Sequence, residues 1–95
     1  MIRIVVRERI KNGEKEKAIE LFREMVEATR KEEGNISFNL LESVEDPNTL
    51  AVSEAWESQQ SVENHLESQH SKRLRPLLDQ CFAEPSRIEI YREIL

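Results

Sequence analysis

The sequence predicts an α+β domain with the ferredoxin-like order βαββαβ, a four-stranded antiparallel sheet with its helices on one face. Three observations predict it. Residues 2–10, 35–44, 49–56 and 86–94 alternate in the period-two manner of half-buried strands. Residues 14–34 and 58–81 space their apolar side chains as helices do. Asn12-Gly13 and Asp46-Pro47-Asn48 supply turn chemistry between elements.

The first strand places Ile2, Ile4, Val6 and Ile10 on one face, interrupted only by Glu8, and Arg3, Val5, Arg7 and Arg9 on the other. From Glu14 the period becomes helical. Ala18, Leu21, Phe22, Met25, Ala28 and Thr29 form a stripe widened by Ile19 and Val26, and Glu14 and Glu16 sit where the helix dipole favours carboxylates. Gly34 is expected to end this helix. In the second strand Ile36, Phe38 and Leu40 oppose Ser37, Asn39 and Leu41. The third strand, 49–56, aligns Leu50, Val52, Glu54 and Trp56. Ser58 caps a helix through about Leu66. A further helical piece is expected from about Ser71 to Cys81, starting near Pro76 or kinked there, since proline lacks the backbone donor. Pro85 opens the last strand, whose Ile88, Ile90 and Ile94 are expected to face inward.

A chain of 95 residues and 11.2 kDa predicts a single domain over 1–95. With 14 basic against 19 acidic residues the net charge is −5, which argues against nucleic acid as a partner and against docking on an anionic membrane. One cysteine, Cys81, excludes an internal disulfide and a cysteine zinc cage. No apolar run approaches a membrane span and the N-terminus lacks a signal-peptide core, so a cytoplasmic protein is expected. The outer sheet face mixes Val5, Leu41, Ala51, Ala55 and Tyr91 with charges. Such a face suits a second sheet packed on it, and a homodimer through this open face is expected, with ion pairs between the first and last strands.

The residues in order then become recognisable. Glu32-Glu33-Gly34 is followed by Ser37-Phe38-Asn39-Leu40, Asp46-Pro47-Asn48, Ser53-Glu54-Ala55-Trp56, His65-Leu66-Glu67-Ser68-Gln69-His70 and Tyr91-Arg92-Glu93-Ile94. Together they resemble, essentially end to end, the antibiotic biosynthesis monooxygenase (ABM) domain family of the dimeric α/β-barrel superfamily. The resemblance implies a homodimer with a pocket in each subunit between sheet and helices. It also implies one of several chemistries: cofactor-free oxygenation of polyphenols and quinols, haem degradation, or isomerisation of a sugar-phosphate-type signal.

Trp56 is the only tryptophan and reads either as a core aromatic or as a pocket wall for a flat ligand. In the polyphenol oxygenases of the family a tryptophan at this place lines the site, with an asparagine four residues earlier; here that position is Val52. His65 follows on the next helix and titrates in the range a general base needs. His70 falls one position off the i,i+4 spacing from His65, which speaks against a two-histidine metal site, so no metal is expected. The haem-degrading branch implies a histidine where Arg75 stands and an asparagine within the Val5-Val6-Arg7 stretch, so haem is not expected. Cys81 is expected to pack inertly with Leu77 and Leu78. The leading expectation is a cofactor-free monooxygenase of a small quinol or phenol. His65 is its base, and Trp56, Val52, Glu54, Asn39 and His70 are its expected substrate-binding residues, with Trp56 the stacking wall and Asn39 or Glu54 the polar anchor. A tautomerase or isomerase of a small carbonyl compound and a non-catalytic ligand-binding dimer are the alternatives.

Overall fold

Turn chemistry sets the strand pairings that the hydrophobic pattern then fills. The computed structural model describes residues 1–95. Asp46 folds the β2–β3 connection: its Oδ1 accepts the Asn48 amide at 3.0 Å and its Oδ2 the Thr49 hydroxyl at 2.8 Å. The elements are β1 (Ile2–Arg9), α1 (Lys15–Thr29), β2 (Asn35–Glu42), β3 (Thr49–Trp56), α2 (Gln59–Leu66), α3 (Gln69–Asp79) and β4 (Arg87–Arg92). The four strands form one antiparallel sheet in the order β2-β3-β1-β4, the ferredoxin-like α+β arrangement with the helices on one face.

Register decides which side chains share the inner face. Ile4 lies between Glu54 on β3 and Ile90 on β4, and Val6 lies between Val52 and Ile88. Ala18, Phe22, Met25 and Thr29 of α1 are buried against this face, at the i, i+4, i+7, i+11 spacing of one helical stripe. Trp56, Leu74 and Cys81 are fully buried. The expected ion pairs between first and last strands form as Arg3–Glu93 at 3.0 Å and Arg7–Glu89 at 3.6 Å, whereas Arg9 turns to Asp46 at 3.0 Å.

Four expectations need correction. Helix α1 ends at Thr29, short of Gly34; residues 30–34 form a turn, and Gly34 adopts a φ of +87° leading into β2. That turn is what brings Glu32 out toward α2. Helix α3 begins at Gln69, earlier than expected, because the Ser68 hydroxyl accepts the Ser71 amide and caps it. Pro76 lies inside α3 rather than at its start. Its missing donor costs the carbonyl of Lys72, an exposed residue. Strand β4 ends at Arg92, so Ile94 lies beyond the sheet and is exposed. Ile88 and Ile90 do face the helical side, but at 59% and 61% exposure they are left largely uncovered by the helices.

Candidate functional site

A cavity of about 260 Å³ lies between the inner sheet face and the helices, reaching under the uncovered β4 edge. Its walls are mostly apolar: Ile4, Val6, Val52, Ile88 and Ile90 from the sheet, Phe22, Met25 and Leu78 from the helices. Drug-sized ligands occupy sites of roughly 300–1,000 Å³, so this space suits a compound of one or two rings. The polar groups gather toward its two ends. His65 and Glu54 line one end; Glu8, Asp79 and Ser86 line the other. Glu8 stands four residues along β1 from Ile4, the partner of Glu54. At the rise of a strand that separates the two residues by about 13 Å of backbone along the sheet.

His65 is built into its place from three sides. Ser58 accepts the Ser61 amide and starts α2, so that Val62 and His65 fall on its buried face. The imidazole packs 4.9 Å from the Trp56 ring and 5.8 Å from the Phe38 ring, centroid to centroid. Its Nδ1 lies 2.6 Å from Glu32 Oε2. A carboxylate oxygen only accepts, so the proton sits on Nδ1 and the lone pair on Nε2. Nε2 makes no hydrogen bond within the chain and is not fully buried, and the side chain lines the cavity. Burial lowers the His65 pKa, against the pull of Glu32, and the nearby His70 and Arg75 add to the lowering. The side chain therefore rests neutral, as a base must.

Glu54 is 8% exposed and its Oε1 accepts the Trp56 indole N–H at 2.9 Å. Burial pushes its carboxyl up to about 7 against that hydrogen bond, and the charge of Glu32 adds to the rise. Glu8 is likewise pushed up to about 7 by burial, with the Ser86 hydroxyl donating to it at 2.5 Å and Asp79 adding like charge. One face of this cavity thus holds two carboxyls poised to carry a proton near neutrality.

Of the residues singled out in the sequence, the structure brings Val52, Glu54 and His65 together on the cavity wall. Trp56 is fully buried behind them: it orients Glu54 and backs His65 instead of presenting a face to the cavity. Asn39 is not brought in. It pairs with Ser53 on the outer side of the sheet, and its Oδ1 accepts from Arg30 Nη2 at 2.9 Å. His70 does not line the cavity: it approaches from the first turn of α3 and spends its Nε2 on the same Glu32 oxygen at 3.2 Å and on Ser68 Oγ at 3.3 Å. The i,i+4 spacing test presupposes one helix; His65 and His70 stand on two, so it does not govern them. Arg75 lines the cavity and is tied down through Leu66 and Ser71 carbonyls at 3.2 and 3.3 Å. Cys81 is buried, which raises its thiol pKa.

Two residues of the candidate site were not singled out from the sequence. In the sequence Glu32 looks like an ordinary charge near the end of the first helix, and nothing in its local pattern points 33 residues ahead to His65. Glu8 did leave a signal, as the one charge on an otherwise aliphatic strand face.

Comparison with known proteins agrees with this architecture. Residues 1–77 match the family described as antibiotic biosynthesis monooxygenase. A conserved protein from Methanosarcina mazei is 32% identical, with a TM-score of 0.96 over 98% of this chain and 92% of its own. A Nitrosomonas europaea protein assigned as an antibiotic biosynthesis monooxygenase is 27% identical, with a TM-score of 0.95 over 100% of both chains. Rv0793 from Mycobacterium tuberculosis, at 20% identity, shares the fold with a TM-score of 0.93 over 98% of this chain and 94% of its own. No curated protein matches the chain. With the family match running from β1 into α3 and the fold shared end to end with these structures, the chain belongs to the antibiotic biosynthesis monooxygenase family.

Proposed function

We propose that this protein is a cofactor-independent monooxygenase of a small phenol or quinol bound in the cavity, with His65 as its general base. The observation that carries this reading is the Glu32–His65 pair: the proton is held on Nδ1, and the Nε2 lone pair is left open to an apolar cavity. His65 Nε2 takes the phenolic proton. The electron-rich phenolate then reduces oxygen directly, a hydrogen-bearing ring carbon ortho or para to a hydroxyl gaining one oxygen atom while losing that hydrogen. Phenol plus oxygen becomes quinone plus water, a quinol plus oxygen becomes hydroxyquinone plus water, and in either case the substrate supplies all four electrons. The protein contributes a largely apolar slot, a base and orientation. Trp56 holds Glu54 in position, and Glu54, with its pKa near 7, returns a proton to the departing oxygen.

The test is oxygen uptake by metal-stripped protein supplied with reduced naphthoquinols and polyphenols. Uptake above autoxidation, lowered about 10²-fold or more in His65→Ala, is the expected result. No uptake with any substrate, or full activity in His65→Ala, overturns the reading. The Glu54–His65 pairing favours a second reading, tautomerisation of a small carbonyl compound, which needs an acid and a base but no oxygen. Turnover under argon distinguishes it.

We also infer a homodimer through the outer sheet face. Leu41 and Tyr91 stand 49% and 53% exposed there among cross-strand ion pairs, an apolar content that a second sheet would cover. Solution mass by light scattering tests it; a single species at the monomer mass overturns it. No helix is long and apolar enough to cross a membrane.

A further inference from the structure

We propose that Glu32, His65 and His70 form a binding site for a divalent transition-metal cation of the zinc class. Their ligand atoms, Glu32 Oε2, His65 Nδ1 and His70 Nε2, all lie within 4.8 Å of one another. They come from the turn after α1, from the last turn of α2 and from the first turn of α3. Tertiary packing, not one helix face, makes the group. It is shielded: the three side chains are 16%, 8% and 20% exposed.

The donor chemistry is that of a zinc-class site, two imidazole nitrogens and one carboxylate oxygen. Such ions sit about 2.0–2.2 Å from each ligand, which sets neighbouring ligand atoms roughly 3.0–3.5 Å apart. The Glu32–His70 separation of 3.2 Å already falls there. The Glu32–His65 separation of 2.6 Å opens by about half an ångström when a cation replaces the shared proton. Glu32 has the freedom to do this, since it lies in a turn and not in a helix or strand. Three protein ligands leave at least one coordination position for water.

Occupancy has a chemical consequence for the cavity. A neutral imidazole bound to metal through Nδ1 carries its proton on Nε2. The loaded protein therefore presents a donor to the cavity where the empty protein presents a lone pair. If His65 is the base proposed above, the cation switches it off. The binding site itself does not depend on that reading.

The experiment is therefore done first without substrate. Zinc is titrated calorimetrically into chelator-treated full-length protein, and cobalt(II) is titrated with visible absorption as the readout. One ion per chain, with a cobalt spectrum of low coordination number, is expected. Glu32→Gln and His70→Ala are each expected to weaken binding about tenfold or more. Both are only partly buried, at 16% and 20% exposure, and unfolding transitions of the variants check that the fold is intact. Absence of binding at about 100 μM metal overturns the proposal, and so does unchanged affinity in both variants. Adding zinc to the oxygen-uptake assay then reads the second step: inhibition at the calorimetric affinity is expected in the wild type and not in His70→Ala at the same zinc concentration. Binding without any oxygenase activity leaves the site established and refutes only the function proposed above.

Discussion

Replacing Glu8 by glutamine isolates what one buried carboxyl costs this fold. Glu8 is 5% exposed on the inner face of β1, beside Ile4 and Val6. Burial raises its pKa from 4.5 to about 7. Below about pH 4.5 the carboxyl is neutral in both folded and unfolded chains. Between 4.5 and 7 the folded chain holds a proton that the unfolded chain has released, so stability falls as pH rises through this window. Above 7 the loss is complete. At about 1.4 kcal/mol per pKa unit the shift corresponds to about 3 kcal/mol, and water entering the cavity screens this to about 1–2 kcal/mol. The substituted amide cannot ionise, yet its carbonyl oxygen still accepts from the Ser86 hydroxyl that now donates to Glu8. Glu8→Gln should therefore match the wild type at pH 4.5 and exceed it by about 1–2 kcal/mol at pH 8. For a domain of this size that is roughly 5–15 °C in melting temperature. Trp56, the only tryptophan and fully buried, reports unfolding by fluorescence. Denaturant melts every half pH unit give both curves, and the matching slope from Glu54 cancels in the difference. Parallel curves from pH 4.5 to 8, or a variant that loses ground as pH rises, would refute the reasoning.

Three other outcomes follow from the packing. Gly34→Ala should destabilise by about 2–4 kcal/mol, because φ is +87° and a Cβ would run into the Ser61 side chain at the start of α2; chemical denaturation measures it. Thr29→Val should stabilise by about 1 kcal/mol, since the Thr29 hydroxyl is buried with no hydrogen-bond partner and valine has the same shape; a higher denaturation midpoint at equal m-value checks it. Leu41→Arg, on the outer sheet face at the pairing position of Ala51, should shift the proposed dimer to monomer in light scattering without changing the secondary structure read by circular dichroism.

Local periodicity was enough to place every strand and helix of this chain, because each apolar face is written within its own element. Ile4 and Val6 declare an inner strand face without reference to anything distant, and so do Ala18, Phe22 and Met25 for the first helix. The order of those elements, with the linear motifs from Glu32 to Ile94, was enough to reach the fold and the family. The limits of the helices were less legible, since caps decide them: Ser68 starts α3 ahead of the apolar stripe, and α1 stops before its glycine. The site lay further still from local information. Trp56 carries the same letter whether it lines a cavity or backs one, and only packing shows that it backs His65. Asn39 and Phe38 are chain neighbours, yet the pleat sends them to opposite faces. Glu32 meets His65 across 33 residues and His70 across 38, because a turn, a helix start and a helix break converge in space. A carboxylate's partner is set by tertiary distance, and its pKa by burial; neither quantity exists until the chain has folded.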